Sequence, residues 1–275
     1  MAYKFNVETT TQSCIEWIQH WFDQNGKDCK AIIGISGGKD SSVAAALCVK
    51  ALGADRVVGV LMPDGLQADI GYSFTLCKEL GIQFIKCNIE SMVHETLESI
   101  KAGMFNRVGN VVKPFKISDQ TKINLPPRLR MSMLYAISQS MHGRVCNTCN
   151  LSEDAIGYST RWGDNVGDFA PLQELTSDEV IAIGEYLGLS QKLTRKPPSD
   201  GLCGKTDEEN FGFTYAELNA YIRTGECENP EVKQKIQELR EKNSFKRFYL
   251  PHFSPSYCCL FDDEEDEMMG WLNSF

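Results

Sequence analysis

Short apolar runs alternate with longer amphipathic stretches over roughly the first 190 residues. The apolar runs predict four strands, at residues 31–35, 56–62, 82–87 and 144–147. The amphipathic stretches predict helices at residues 5–27, 43–52, 69–80, 91–102, 128–141 and 177–187, with Pro126 and Pro127 forming the entry turn of the helix at 128–141. Strands separated by helices of this length are typical of βαβ units. The pattern therefore predicts an α/β fold, a Rossmann-like parallel sheet with helices on both faces.

The pattern changes after residue 195. Residues 196–204 contain two prolines and two glycines and predict a loop, and helices are predicted at 206–222 and 230–242. An acidic run, DDEEDE, follows at 262–267 and is typical of a solvated tail. We expect one domain over residues 1–275, with a helical C-terminal part at about 206–250 and an acidic tail at about 260–275.

Composition narrows the class of protein. With 28 Lys and Arg against 37 Asp and Glu, the formal net charge is −9, which disfavours nucleic acid as a partner. No stretch of 18 apolar residues is present, so a membrane-spanning helix is excluded, and no secretory signal is visible. The 11 cysteines lie mainly in apolar patterns, where Cys acts as a small hydrophobic residue, and this favours the reducing cytoplasm.

The segment at residues 32–42, IIGISGGKDSS, carries the sharpest chemical signal. A buried strand leads into paired glycines, and a helix begins at once, which is a geometry that binds phosphate through backbone amides. Ser36, Ser41 and Ser42 can donate to phosphate oxygens, and Asp40 suits a Mg²⁺ ion held on those phosphates. The spacing fits neither the Walker loop nor the dinucleotide fingerprint.

The string SGGKDSS resembles the PP-loop of the ATP pyrophosphatases, which split ATP between its α and β phosphates. Further motifs follow in order and are similar to those of the ammonia-dependent NAD synthetases: NLPPRLRM at 124–131, NTCNLSE at 147–153, GYSTRWGD at 157–164, KPPSDGL at 196–202 and TDE at 206–208. Lys246, Arg247 and Pro251 resemble the closing residues of that family, so the likeness extends over about residues 31–251.

The resemblance implies an NAD synthase that amidates deamido-NAD with ammonia, using ATP as co-substrate and forming AMP and pyrophosphate through an adenylated intermediate. It implies Mg²⁺ on Asp40 and Glu153, which would be the catalytic residues. It implies ATP contacts at Gly34, Ser36, Gly37, Gly38, Lys39, Asp40, Ser41, Ser42, Thr148 and Ser199. It implies deamido-NAD contacts at Arg128, Arg161, Asp168 and Lys246. It also implies a homodimer, for which the apolar helix at 128–141 is a candidate interface, although the same residues suit a core equally.

Four positions depart from the family pattern. Lys39 stands where many members have Gln, Ser177 where Lys is expected, Leu61 where some have Arg, and Phe245 where many have His. These departures keep a catalytically degenerate nucleotide-binding module open as an alternative, although Asp40 and Glu153 are present. A second alternative is a PP-loop enzyme that thiolates tRNA, with Cys146 and Cys149 carrying sulfur or a cluster, but the net charge disfavours tRNA.

The histidines and the N-terminal cysteines carry no catalytic signal in the sequence. None of the four histidines shows ligand spacing or a nucleophile partner. The two cysteines ahead of the PP-loop, Cys14 and Cys29, lack the surroundings of a glutaminase nucleophile, so ammonia is expected from solution or from a separate protein.

Overall fold

A computed structural model describes residues 4–107, 110–114, 116–195 and 207–246. The strands are β1 (Lys30–Gly34), β2 (Val57–Leu61), β3 (Gln83–Lys86), β4 (Met104–Arg107), β5 (Asn110–Pro114) and β6 (Gly143–Val145). The longer helices are α1 (Val7–Asn25), α2 (Lys39–Leu52), α3 (Ile70–Leu80), α4 (Glu90–Ala102), α5 (Asp119–Ser140), α7 (Ser177–Tyr186), α10 (Tyr215–Thr224) and α11 (Pro230–Lys242). Three short helices are α6 (Leu151–Ile156), α8 (Gln191–Thr194) and α9 (Asp207–Phe211).

Four strands form a parallel sheet in the order β3-β2-β1-β6. The predicted parallel α/β fold is confirmed, because helices cover both faces of this sheet. Ala31 and Ile33 point to one face, where they pack with buried residues of α1, α2 and α7. Ile32 points to the other face and packs with Met131 and Leu134 of α5. Burial on both faces explains why these strands are apolar without alternation.

Helix α5 begins earlier than the sequence predicted. The prediction that Pro126 and Pro127 form an entry turn is wrong, because both lie inside the helix. The helix begins after Ser118, whose side chain accepts a hydrogen bond from the Thr121 amide. Prolines inside a helix remove hydrogen bonds and normally cost about 3 kcal/mol. Pro126 is buried, and Pro127 packs against Gly163. A Cβ added to Gly163 would lie only 3.0 Å from the Cβ of Pro127. This tertiary packing offsets part of the cost of the prolines.

The C-terminal helices also differ from the prediction. The single helix expected at 206–222 is two helices, α9 and α10. Gly212 ends the first with a φ of +75°, and Thr214 caps the second by accepting from the Glu217 amide. These helices and α11 surround a separate apolar cluster with α6, which includes Ile156 and Leu218.

Some features lie outside the prediction or outside the described residues. The antiparallel pair β4–β5 was not predicted. The predicted loop at 196–204 and the acidic tail lie outside the described residues. No helix in the described part of the chain is both long and apolar enough to cross a membrane.

Candidate functional site

The PP-loop joins the carboxyl end of β1, at Gly34, to the first turn of α2. Gly37 has a φ of +77°, and a Cβ there would lie 2.9 Å from the Cβ of Tyr72, so only glycine fits. Gly38 caps α2 without a side-chain hydrogen bond to the helix amides. A helix N-terminus of this kind is suited to binding phosphate through its amides and its dipole.

The three serines of the loop differ in their surroundings. Ser36 is exposed, and its hydroxyl lies 3.1 Å from that of Ser41. Ser42 is buried and donates to the Gly38 carbonyl at 2.7 Å. Ser36 is therefore the serine best placed for a ligand, whereas the hydroxyl proton of Ser42 is directed to the backbone.

Two carboxylates meet beside this loop. Asp40 lies in the first turn of α2, and Glu153 in the first turn of α6. Asn150 links them. Its amide nitrogen donates to Oδ1 of Asp40 at 2.9 Å, while its side-chain oxygen accepts from the Glu153 amide at 3.2 Å. The predicted acids, more than 100 residues apart in sequence, are thus brought together by one fully buried side chain.

Asn150 was missed as a functional residue, although its sequence context carried a signal. Asn150 and Glu153 form a capping box, in which the Glu153 carboxylate in turn accepts from the Asn150 backbone amide. An N-x-x-E spacing ahead of a helix predicts this geometry. The cap fixes the orientation of Glu153 before any ligand binds.

Asp40 and Glu153 lie close enough for their charges to interact. Burial, followed by the negative charge of Asp40, raises the pKa of Glu153 well above its ordinary value. Carboxylate oxygens are the ligands that Mg²⁺ prefers, and Mg²⁺ is commonly held by one or two carboxylates together with substrate phosphates. No cluster of three or more His, Cys, Asp or Glu side chains arranged to hold a metal is found among the described residues. Two carboxylates that leave the other ligand positions to phosphate and water oxygens fit a Mg²⁺ ion shared with a triphosphate.

Lys39 contacts one of the two acids, Asp40, directly. Its Nζ lies 2.9 Å from Oδ2 of Asp40 and 5.4 Å from the ring centre of Tyr215. Burial lowers the pKa of Lys39, but the charges of Asp40, Glu153 and Asp207 outweigh it and raise that pKa to about 12. The residue is consequently an ammonium ion in a nearly buried position.

A third acid, buried Asp207, connects this site to the C-terminal helices. Asp207 accepts hydrogen bonds from the hydroxyls of Tyr158 at 3.2 Å and Tyr215 at 3.1 Å. Sequence reasoning noted Asp207 only as part of a motif. The two tyrosines that orient it come from α10 and from the segment after α6, a pairing that no local spacing reveals.

Two of the four residues predicted to contact deamido-NAD lie together. Arg128 donates from Nε to the Arg161 carbonyl at 3.1 Å. The Arg161 guanidinium lies over the rings of Trp162 and Phe245, at 5.1 and 5.5 Å from their centres. Phe245, which stands where a histidine was expected, is therefore a cation–π partner of Arg161.

Asp168 and Lys246 bind backbone groups. Asp168 accepts from the Val145 amide at 2.7 Å, and Lys246 donates to the carbonyls of Gly157 and Ser159 at 2.7 and 2.9 Å. Both side chains thus hold segments that border the site.

The remaining predicted positions are distributed around this site. Thr148 is half-buried in the segment between β6 and α6. Ser177 is buried and accepts from the Asn219 amide at 3.3 Å, and Leu61 is buried at the end of β2. Ser199, Thr206, Arg247 and Pro251 lie outside the described residues.

The cysteine pair near the site consists of free, buried thiols. Cys146 donates to the Asn147 carbonyl at 3.3 Å, and Cys149 to the Asp164 carbonyl at 3.2 Å. Burial raises the pKa of both thiols well above the ordinary value. Such thiols are unreactive, so this geometry favours a structural role.

One cysteine–histidine pair was not expected. The Cys29 sulfur lies 3.6 Å from Nε2 of His142, a contact that the spacing of the histidines did not predict. The two residues are 113 positions apart and meet at the amino end of β1, at the opposite edge of the sheet from the PP-loop.

Comparison with known proteins identifies the family. Residues 10–249 match the family model described as NAD synthase. The chain is 32% identical to the NH(3)-dependent NAD(+) synthetase of Archaeoglobus fulgidus over 253 residues, which cover 90% of this chain and 96% of that protein. The chain belongs to the NAD synthase family.

Solved structures agree with this assignment. The NMN synthetase of Francisella tularensis superposes with a TM-score of 0.80 at 28% identity, over 92% of this chain and 100% of that chain. The NH3-dependent NAD synthetase of Campylobacter jejuni superposes with a TM-score of 0.72 at 24% identity, over 91% and 100%, and so supports the fold. Membership in the NAD synthase family confirms the predicted family, enzyme class and amidation reaction, and it does not favour tRNA thiolation or a degenerate module.

Proposed function

We propose that the chain converts deamido-NAD to NAD with ammonia and ATP, using Asp40 and Glu153 as its metal-binding carboxylates. The observation that carries this proposal is the pairing of the two acids through Asn150 at the mouth of the PP-loop, in a chain of the NAD synthase family. No feature of a degenerate site is found at these two positions.

The reaction needs the nicotinate carboxylate to be activated, because oxide is a very poor leaving group. A carboxylate oxygen attacks the α-phosphorus of ATP, and pyrophosphate leaves. Ammonia then attacks the carbonyl carbon of the mixed anhydride, AMP leaves, and the surplus proton passes to solvent. The protein contributes mainly by positioning the reactants and stabilising charge on the phosphates.

The residues divide between the two nucleotides. For ATP we propose the loop residues Gly34, Ser36, Gly37, Gly38, Lys39, Asp40, Ser41 and Ser42, together with Thr148 and Ser199. A Mg²⁺ ion on Asp40 and Glu153 would neutralise phosphate charge. For deamido-NAD we propose Arg128 and Arg161 as direct contacts, because Arg128 is exposed and its side chain donates to the backbone carbonyl of half-buried Arg161.

Asp168 and Lys246 are proposed to act by positioning. Asp168 fixes the end of β6, and Lys246 fixes the turn that leads to Arg161. Their hydrogen bonds to the backbone support this assignment over direct binding alone.

We further propose a cytoplasmic homodimer. The eight free cysteines among the described residues support a reducing compartment. The apolar residues of the candidate interface helix, Met131, Met133, Leu134, Ile137 and Met141, belong to or pack against the core cluster under the sheet. The dimer proposal therefore rests on the family resemblance and not on an uncovered face of α5.

The direct test is a reconstituted reaction. The purified chain is incubated with ATP, Mg²⁺, ammonium chloride and deamido-NAD, and NAD, AMP and pyrophosphate are quantified. We expect the three products in equal amounts. ATP cleavage without NAD, or no turnover by a folded protein, would contradict the proposal.

One observation favours a second substrate, nicotinate mononucleotide. The relative that superposes with a TM-score of 0.80 is an NMN synthetase. Nicotinate mononucleotide is the acid whose amidation would give NMN. Competition between deamido-NAD and nicotinate mononucleotide at equal concentration separates the two. A higher kcat/KM for the dinucleotide supports NAD synthesis, and the reverse assigns NMN synthesis.

A further inference from the structure

Lys39 occupies an unusual position for a residue of a phosphate-binding loop. Its side chain is nearly buried, at 7% exposure for the residue, and its ammonium contacts the Asp40 carboxylate at 2.9 Å. An exposed lysine would instead extend from the loop into solvent, since lysine is strongly hydrated. The burial indicates that the ammonium has a defined place when no nucleotide is bound.

The neighbours of Lys39 form a compartment for one positive charge. The Tyr215 ring lies on one side of the ammonium, with its centre 5.4 Å from Nζ. Oδ2 of Asp40 accepts from Lys39, and Oδ1 of the same carboxylate accepts from Asn150 at 2.9 Å. Both oxygens of Asp40 are therefore engaged before a metal arrives.

A divalent cation that entered alone would meet two obstacles. It would have to displace the ammonium from Asp40, and it would be repelled by that charge while it did so. Mg²⁺ also gives up its water reluctantly, and two carboxylates offer few ligands in return.

From these contacts we propose that Lys39 is a resident counter-cation that occupies the Asp40 carboxylate in the free enzyme and admits the divalent metal only together with ATP. The proposal rests on the proposed function, because it takes Asp40 and Glu153 as the metal-binding acids. When the triphosphate binds, its own negative charge gives the ammonium a new partner. The flexible four-carbon stem lets Nζ leave Asp40 for a phosphate oxygen while the metal takes its place. Lys39 thus couples metal entry to nucleotide entry.

The test measures metal binding without nucleotide. Mn²⁺ alone is titrated into the free protein, and unbound Mn²⁺ is followed by electron paramagnetic resonance. We expect the Lys39→Gln variant to bind Mn²⁺ at least about tenfold more tightly than the parent chain, because a unit charge close to the metal is removed. Lys50→Gln removes the same charge from the exposed end of the same helix and should leave the affinity unchanged.

Two further variants keep the result interpretable. Lys39→Arg retains the positive charge and should bind Mn²⁺ as weakly as the parent, which also guards against a Lys39→Gln variant that fails to fold. Asp40→Asn in the Lys39→Gln background should abolish the tightening, because the gain must come from this carboxylate. Equal Mn²⁺ affinity in folded Lys39→Gln and Lys50→Gln would overturn the proposal.

The outcome is independent of the amidation assay. If the parent chain makes no NAD but Lys39→Gln still tightens Mn²⁺ binding, the proposed function fails and the counter-cation role stands. If the chain makes NAD but the two glutamine variants bind Mn²⁺ alike, the counter-cation role fails alone.

Discussion

At the scale of single residues, the acid pair depends on one neutral amide. The Asn150 side chain binds the Asp40 carboxylate and the Glu153 backbone amide, so the two acidic residues are held side by side even though they come from different helices. Their function as a unit makes a specific kinetic prediction.

Asp40→Asn and Glu153→Gln should each reduce kcat about a hundredfold or more, because each removes charge that stabilises the phosphates in the transition state. The double variant should have a kcat little lower than that of either single variant, because either substitution already removes the joint action of the two carboxylates. Steady-state kinetics at saturating Mg²⁺ measures this, with circular dichroism to confirm the fold. Additive losses of kcat, or near-normal turnover of either single variant, would contradict the prediction that the two acids act together.

Arg128 and Asp168, both predicted from the sequence to bind deamido-NAD, should behave differently from each other. Arg128 is exposed and lies against the Arg161 carbonyl. We expect Arg128→Ala to raise KM for deamido-NAD more than KM for ATP, because it supplies binding shared by ground and transition states. Stability should change by less than about 0.5 kcal/mol, as for most surface substitutions. A larger change in KM for ATP would contradict this assignment and indicate that Arg128 binds ATP.

Asp168 accepts from the Val145 amide, so its loss should appear mainly in stability. Asp168→Ala leaves that amide without its partner, and we expect a cost of about 1–3 kcal/mol. Urea unfolding measures this, with Arg128→Ala as the matched control. Unchanged stability together with a raised KM for deamido-NAD would contradict the positioning role and indicate that Asp168 contacts deamido-NAD directly.

At the scale of secondary-structure elements, the sequence was most informative where burial alone determines the structure of a segment. The four strands of the sheet were predicted because each is a short apolar run bounded by turn residues. The prolines at 126 and 127 were misinterpreted because their cost is offset by packing against Gly163, a contact between distant segments. The break at Gly212 carried a local signal, a glycine followed by a capping threonine, that was outweighed by the apolar periodicity around it.

The same distinction applies to the site. Loop residues such as Gly37 and Asp40 were predictable because their chemistry is contiguous in sequence. The contacts of Asp207 with Tyr158 and Tyr215 were not, because they join segments that are distant in sequence or belong to different elements. Periodicity reports which face of an element is buried, and it does not report which element lies opposite.

Gly184 shows how closely two of these elements pack. It lies inside α7, and a Cβ there would be 2.8 Å from side-chain methyls of both Val43 and Thr194. Alanine normally stabilises a helix interior relative to glycine by about 1 kcal/mol. Here we expect Gly184→Ala to destabilise the chain by about 1–3 kcal/mol, because α7 is forced away from α2.

Thermal or urea unfolding tests this prediction. The matched control is Gly71→Ala in α3, where an added Cβ meets no atom within 4 Å. A Gly184→Ala variant as stable as Gly71→Ala would show that α7 and α2 can separate without cost.

At the scale of the whole molecule, the nitrogen source follows from the cysteines on the N-terminal segment. Burial, followed by the neighbouring Cys48, raises the pKa of Cys14 to about 12. Cys29 has an imidazole neighbour in His142 but is only 1% exposed. Cys14 is held as a thiol and Cys29 is enclosed by the protein, so neither is an accessible nucleophile of the kind that attacks glutamine.

The 275-residue chain should therefore make NAD with ammonium chloride and fail with glutamine at the same concentration. NAD formation is measured with each donor, with a glutaminase added to the glutamine reaction as the positive control. Glutamine-driven synthesis by the purified chain that persists in a Cys14→Ala, Cys29→Ala variant would point to a contaminating glutaminase. Synthesis that disappears in that variant would overturn the prediction.

The position of β6 at the edge of the sheet also determines when the site can form during folding. Strands β1, β2 and β3 pair through consecutive βαβ units, whereas β6 pairs with β1 across about 110 residues of chain, and such distant pairings form slowly. Asp40 is carried by the early unit, and Glu153 follows β6. We expect a chain still being synthesised to bury its first three strands long before the two carboxylates meet. A nucleotide whose metal needs both carboxylates can then be bound in full only at the last stage of folding.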